Sequence, residues 1–383
     1  MARRALLLIL DSVGCGAAPD AADYGDAGAN TLGHIYERVA GFSLPCLESL
    51  GLAQILGIPA ANEPTAAYGR MRERSVGKDT TTGHWEIAGA PLETPFQTFE
   101  QFPPALLEPI EKEADVEFIG NFPRSGTAVL EELGAEHLRT GKPIVYTSAD
   151  SVLQIAAHER IFSRERLSAL CTIARRHCDA WRIGRVIARP FEGEPGSFRR
   201  TSGRHDYAML PPRTVLNALS DAGISVHAIG KIHDIFAGSG ITASTSTTSN
   251  AEGMEVIARA WRQAGAASQP GVLLFANLVD FDMLYGHRRD VAGYARALRE
   301  FDAWLPGFLA EIAADDLVII TADHGNDPTH PGTDHTREEV PLLVLHQHRT
   351  GSLGVRETFA DTAATLADYF YLPARFGAVS FLR

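Results

Sequence analysis

Cysteine is scarce in this chain. Its 383 residues hold four, Cys15, Cys46, Cys171 and Cys178, and no two form a CxxC pair. That excludes a disulfide framework. Cys171 and Cys178 stand seven apart, on one face of a helical stretch, and read as packing rather than a bridge. Basic charge is also short, with 35 Lys and Arg against 47 Asp and Glu, a net charge of −12. A protein that neutralises nucleic-acid phosphates needs a basic face, so a nucleic-acid binder is not expected. Small anionic substrates stay open, because a few placed cations or metal ions can hold a phosphate inside an acidic protein. Long hydrophobic runs are missing too. Residues 5–10 follow Arg3 and Arg4 in the manner of a signal peptide, but Asp11 ends the run after six residues and no small-residue cleavage site follows. Nothing elsewhere approaches a membrane span. The expectation is a reduced, cytoplasmic protein without membrane contact. There is no internal repeat, no protein partner is evident, and the one low-complexity stretch, the Ser/Thr-rich 242–250, reads as a loop.

What is present fits a globular protein with ample core, at 45% hydrophobic and 21% charged residues. At roughly 150 residues per domain, the length means two or three domains, or one large domain with an insertion. Short apolar runs recur at 5–10, 144–147, 185–188, 226–229, 272–279, 317–321 and 340–345. Their length and their Val, Ile and Leu content suit strands buried on both faces of a parallel sheet. Helical patterns at 252–264, 291–313 and 359–369 separate several of them, which implies an α/β sheet covered on both sides. From 93 to 212 the texture is more irregular, bracketed by Pro103-Pro104 and Pro211-Pro212. This segment reads as a second domain inserted into the first, leaving 1–92 and 213–383 as a discontinuous main domain.

In α/β sheets ligands sit beyond the carboxyl ends of the strands. There the sequence places Asp11 after the first run, Asp280 and Asp282 with His287 after the run at 272–279, and Asp323 and His324 with His330 and His335 after 317–321. A single Asp after a strand is ordinarily a cap or a turn former. Asp282-x4-His287 and Asp323-His324-x10-His335, each directly after a buried run, are a more specific pattern. Several carboxylates on one sheet edge repel and raise each other's pKa unless a cation joins them. Asp and His without Cys suit Zn²⁺, Mn²⁺ or Fe²⁺. Three Asp and three His are too many ligands for one tetrahedral ion but suit two, and two metals about 4 Å apart are a standard device for phosphoryl transfer. Asp280 is expected to face away from this edge, and Asp327, His330 and Asp334 to be supporting or loop residues.

The second chemical feature is Gly77-Lys78-Asp79-Thr80-Thr81-Thr82-Gly83-His84-Trp85-Glu86. Asp79 is a good N-cap for a helix starting near Thr82. A hydroxyl at a helix N-terminus meets the positive end of the dipole and free N–H groups. A metal can hold such a hydroxyl as an alkoxide, a nucleophile that needs no histidine base. Without the metal ligands, three threonines would read as capping and solvated.

Together these residues resemble the alkaline phosphatase superfamily and, within it, the phosphopentomutases. The likeness extends to Gly28-Ala-Asn-Thr-Leu-Gly-His34, to 146–159, to 187–196 and to Thr201-Ser-Gly-Arg-His-Asp-Tyr207, and so covers nearly the whole chain. The resemblance implies an alkaline-phosphatase-like α/β core, a mostly parallel sheet sandwiched by helices, with a smaller inserted α/β cap at 93–212 that covers the site and reads the substrate. It implies one Mn²⁺ on Asp11, Asp323 and His324 with Thr80 completing the shell, and a second on Asp282, His287 and His335. Thr80, four before His84 and three before Gly83, would carry phosphate. Ser148, Asp150, Arg189, Arg204 and Lys231 would contact the substrate. The implied reaction interconverts ribose 1-phosphate and ribose 5-phosphate, or the deoxyribose pair, primed by a sugar bisphosphate. A phosphatase of the same superfamily would share every ligand and differ in water access. A cofactor-independent phosphoglycerate mutase would carry serine within Asn-Ser-x-x-Gly-His, where this chain has Asp79-Thr80-Thr-Thr-Gly-His84. A metal-storing or phosphosugar-binding protein would need no nucleophile loop.

Overall fold

The structure, a computed structural model, describes residues 3–148, 151–266, 270–373 and 376–382. In chain order its strands are β1 (Arg3–Leu10), β2 (Ala67–Met71), β3 (Ile119–Pro123), β4 (Ile144–Thr147), β5 (Val152–His158), β6 (Arg185–Glu192) and β7 (Arg199–Arg200). They continue as β8 (His205–Ala208), β9 (Ser225–Ile229), β10 (Ala243–Thr245), β11 (Gly271–Leu278), β12 (Leu317–Thr321), β13 (Val340–Leu345) and β14 (Gly351–Arg356). The chain divides into two compact units, Met1–Thr94 with Pro211–Arg383, and Pro95–Leu210.

The first unit is built on an eight-stranded sheet in the order β10-β9-β11-β1-β12-β13-β2-β14. From β10 to β12 the strands run parallel. Ala5 to Leu10 are all buried, with no inside–outside alternation, as a strand covered on both faces requires. Helices flank the sheet, among them Asn250–Ala266, which packs on β9 and β11. Two expectations are corrected here. The 340–345 run is a strand, but it lies antiparallel to both β12 and β2. A continuous apolar run reports burial on both faces and carries no information on strand direction. Within the Ser/Thr-rich 242–250 stretch, Ala243–Thr245 forms a short edge strand on β9 instead of a loop. Thr242 Oγ1 accepts from the Val226 amide and donates to the Val226 carbonyl, which fixes its start.

Register decides where the chemistry lies. Leu10 pairs with Leu278, and Ile9 pairs with Thr321. The carboxyl ends of β1, β11 and β12 therefore stop side by side, and the residues that follow each strand emerge on one edge.

The Pro95–Leu210 unit has its own six-stranded mixed sheet, β3-β4-β5-β6-β7 with β8 beside β6. One core packs Leu106, Ile110, Leu167, Cys171 and Cys178 against Leu153 and Val186. A second gathers Val129, Leu130, Ile144, Tyr146 and Phe191. Cys171 and Cys178 are both free, buried on one helix, Arg164–Asp179, and their thiol pKa values are raised by burial. No helix among the described residues is long and apolar enough to cross a membrane.

Candidate metal centre and nucleophile

Asp11 follows β1 directly, and its amide donates to Leu278 O at 3.2 Å. Two residues past β12, Asp323 lies beside it and accepts the Ser12 amide on Oδ1 at 3.1 Å. Asp282 stands in a helical turn, Phe281–Gly286, just past β11. All three are buried, as is His324. Among the described residues, two groups of potential ligand atoms lie within 4.8 Å of one another: Asp282, His287 and His335, and Asp11, Asp282 and His324. Asp282 thus belongs to both. His324 Nε2 is 3.6 Å from Asp11 Oδ1 and 3.3 Å from Asp323 Oδ2. His287 Nε2 is 3.1 Å from Asp282 Oδ2, and His335 Nε2 is 3.4 Å from Asp282 Oδ1.

The imidazoles are aimed by their second nitrogens. His287 Nδ1 donates to Thr333 O at 2.7 Å, and His324 Nδ1 to Gly325 O at 3.0 Å. In the neutral rings Nε2 is then the lone pair facing the cluster, the usual orientation of a metal-binding histidine. His287 Nε2 and His335 Nε2 face each other at 3.1 Å. The three buried carboxylates beside these imidazoles are a donor set that a divalent cation would join. Asp11 Oδ1 and Asp323 Oδ2 are buried and make no hydrogen bond. Burial, then the Asp323 and Asp282 charges, push the Asp11 carboxyl up to about 7. Burial opposes a charged His324, but the Asp323, Asp11 and Asp282 carboxylates outweigh it and raise the ring to about 9. The donor set, oxygen and imidazole without thiolate, fits divalent cations such as Mn²⁺ or Zn²⁺.

Within the 77–86 segment the helix runs Thr80–Ile87, starting two residues earlier than its pattern suggested. Asp79 caps it, accepting the Thr81 and Thr82 amides on Oδ1 at 3.0 and 3.1 Å. Such a cap contributes about 1 kcal/mol. It also corrects one expectation: these two amides already serve Asp79 and are not free for a phosphate. Thr82 is buried and its hydroxyl donates to Asp79 Oδ2. Thr80, half-buried, is the one that reaches the cluster, with Oγ1 3.1 Å from His324 Nε2.

Several further residues support the site, of which only His84 and Glu86 belong to the segment singled out in the sequence. His84 Nδ1 donates to Thr80 O at 2.8 Å, and Asn277 Nδ2 donates to Asp11 Oδ2 at 2.8 Å. Asn326 Nδ2 donates to Asp282 Oδ1 at 2.7 Å. The buried Glu86 carboxylate accepts the amides of Arg74, Ser75 and Phe359 and the hydroxyl of Thr358, tying the helix to two loops. Arg337 does the same for the approach to Thr80, donating to Glu73 Oε2, Ser75 O and Gly77 O. The one available signal is position: Asn277 and Asn326 stand on or near the strand ends that carry the ligands.

Gly83 matters through space. A Cβ there would lie 2.1 Å from the Asp323 backbone oxygen. Gly83→Ala is therefore expected to push the helix off the end of β12. The cost is about 1–3 kcal/mol of stability, and turnover falls about 10²-fold from a displacement near 1 Å. Urea unfolding and steady-state kinetics check both; an unchanged kcat would mean the helix has room to shift without moving Thr80.

The expected substrate contacts separate. Arg189 is half-buried on β6, with Nε 3.2 Å from Gln154 Oε1. Arg204 is bidentate on Asp206, at 2.7 and 2.6 Å. With Arg200 they surround the buried Tyr146 phenol, whose pKa is raised by burial and pulled back by the three guanidiniums. Ser148 follows β4 in the same unit. Asp150 lies outside the described residues. Lys231 belongs to the first unit, exposed, where its charge acts to lower the Asp11 pKa. Asp280 accepts the Asn250 amide at 2.7 Å. Asp327 pairs with His34 at 2.6 Å, His330 Nε2 lies 3.6 Å from Asp26, and Asp334 pairs with Lys78 at 3.3 Å.

A family model, that of the Metalloenzyme superfamily, matches residues 3–374. The chain is 55% identical to the phosphopentomutase of Syntrophotalea carbinolica, over 98% of this chain and 96% of that protein. It is 53% identical to the phosphopentomutase of Symbiobacterium thermophilum, over 97% and 95%. The phosphopentomutase of Caldanaerobacter subterraneus subsp. tengcongensis is 52% identical, over 100% and 98%.

Proposed function

Since the chain belongs to the Metalloenzyme superfamily, and within it to the phosphopentomutases, which are isomerases, we propose that it interconverts ribose 1-phosphate and ribose 5-phosphate, and the 2-deoxyribose pair, through phospho-Thr80. The observation that carries this reading is the Thr80 hydroxyl at a helix N-terminus, 3.1 Å from His324 Nε2 and so against the acidic–imidazole cluster.

In this reading Asp11, Asp323 and His324 hold one Mn²⁺ with Thr80, and Asp282, His287 and His335 hold the second. When bound, the ions supply Lewis acidity, lowering the pKa of the Thr80 hydroxyl and offsetting the charge of the transferring phosphoryl group. The chain's own residues do the rest. The Asp79 cap and the His84–Thr80 bond fix where Oγ1 points. Phospho-Thr80 gives its phosphoryl group to the free hydroxyl of the sugar monophosphate: the Oγ1–P bond breaks, a sugar O–P bond forms, and the hydroxyl proton ends on Thr80. The resulting bisphosphate returns its other phosphoryl group to Thr80 with the reverse proton movement. A sugar bisphosphate therefore primes the unphosphorylated enzyme.

Arg189 and Arg204, with Ser148 and Asp150, recognise the sugar phosphate from the Pro95–Leu210 unit, and Lys231 assists from the first. Water reaching phospho-Thr80 would convert a mutase into a phosphatase, so turnover depends on keeping solvent from that group. The substrates are small sugar phosphates, and the setting is cytoplasmic pentose phosphate and nucleoside metabolism.

A ³¹P NMR time course tests the reading, with purified protein, Mn²⁺, a trace of sugar bisphosphate and ribose 1-phosphate. Conversion to ribose 5-phosphate with little free phosphate is expected. Release of inorganic phosphate alone would mean phosphatase chemistry on the same core, and no change in either signal would overturn the substrate assignment.

A further inference from the structure

Arg289 stands two residues after His287 in a half-buried position, and its fork closes around the loop that brings in His335. Its Nε donates to Gly332 O at 2.6 Å. Its Nη1 reaches Asn326 Oδ1 at 2.5 Å, Asp327 O at 2.9 Å and Gly286 O at 3.2 Å. Its Nη2 donates to Asp334 O at 2.9 Å. None of these acceptors is a carboxylate. The guanidinium is spent on backbone carbonyls and one amide, which identifies it as a frame for the chain and not as half of an ion pair.

Four of these five bonds lead to Asp282, His287 or His335, of which only Asp282 is shared with the other group. Asn326, held through Oδ1, passes its Nδ2 hydrogen to Asp282 Oδ1 at 2.7 Å. Gly332 and Asp334, held through their carbonyls, flank Thr333, whose carbonyl accepts His287 Nδ1 at 2.7 Å. Asp334 immediately precedes His335, and Gly286 immediately precedes His287. Arg289 itself lies at a φ of +55°, a conformation unfavourable for a non-glycine residue that persists where surrounding bonds over-determine it. By contrast Asp11 and His324 take their orientation from Asn277 and Gly325, neither of which Arg289 bonds directly.

From this we infer that Arg289 is a positioning residue that sets the affinity of the Asp282–His287–His335 metal group, leaving the Asp11–Asp323–His324 group largely to other supports. The inference rests on the two-metal reading above. A planar fork with five N–H donors serves acceptors in several directions at once, which one ammonium cannot. Residues that orient metal ligands in this way typically change affinity 10–100-fold when lost.

The test is equilibrium dialysis of the full-length protein, stripped of metal and titrated with Mn²⁺, followed by elemental analysis. Thermal unfolding of each metal-free protein is recorded alongside. Unaltered protein is expected to bind two equivalents. Arg289→Met should hold one at unaltered affinity and the other about 10–100-fold more weakly. Arg289→Lys, the milder change should the first fail to fold, should show a smaller loss at the same site. Arg288→Met, at the exposed neighbouring position, should bind as the unaltered protein does. Two tight equivalents on the folded Arg289 variants would overturn the inference. So would equal weakening of both sites with a parallel fall in metal-free Tm, since that is the mark of general destabilisation. Fewer than two equivalents on the unaltered protein would overturn the two-metal reading, and the inference with it.

Discussion

Thr80→Ala is expected to lower kcat by at least about 10³-fold, as removal of a covalent nucleophile generally does. Its effect should be confined to chemistry. Thr80 Oγ1 is a peripheral member of the cluster, 3.1 Å from His324 Nε2, while six carboxylate and imidazole side chains remain to hold metal. Metal content and Tm should therefore stay near those of the unaltered protein. Thr80→Ser restores a hydroxyl at the same helix position and should recover measurable turnover. A labelled sugar bisphosphate should leave acid-stable label on the unaltered protein and none on Thr80→Ala. Label persisting on the alanine variant would move the nucleophile to Thr81, because Thr82 is buried with its hydroxyl committed to Asp79.

The second large effect concerns the ligands. His287 belongs to one candidate group, whereas Asp282 belongs to both. His287→Ala should reduce bound metal from two equivalents to one. Asp282→Ala should weaken both, because it removes the carboxylate shared between Asp11–His324 and His287–His335. Each should reduce kcat by about 10³-fold or more, since a two-metal centre stabilises the attacking and leaving oxygens jointly. Elemental analysis after dialysis separates the two variants. A single lost equivalent for both would confine Asp282 to one ion.

Much of the fold and of the candidate site is legible in the amino-acid sequence. The strands that matter most, 5–10, 272–279 and 317–321, are continuous apolar runs, and continuous apolar runs are what burial on both faces demands. The Asp79 cap is equally readable, because capping is local chemistry between a carboxylate and amides two and three residues on. Elements whose signal is weak stay hidden. β2 alternates between buried and half-buried positions and contains Gly69 and Arg70, and β14 lies at the sheet edge with half of its residues exposed and none buried.

Order along the chain settles which residue types stand after which strands, the spacing of Asp282 with His287 and of Asp323 with His335, and the helix start beside Thr80. All of these are properties of neighbours in sequence. What meets across the chain is settled by packing. The parallel register sets Leu10 beside Leu278 and Ile9 beside Thr321, and so makes one edge out of three distant strand ends. Packing makes Asp282 common to two ligand groups, lets Gly83 abut the Asp323 carbonyl, and turns Arg289 into a frame around the His335 loop. The physical reason is that hydrogen bonds and ligand contacts act over a few ångströms in space, whatever the separation in sequence. Asparagine amides, backbone carbonyls and a guanidinium acquire their role only when packing brings a particular partner within that range.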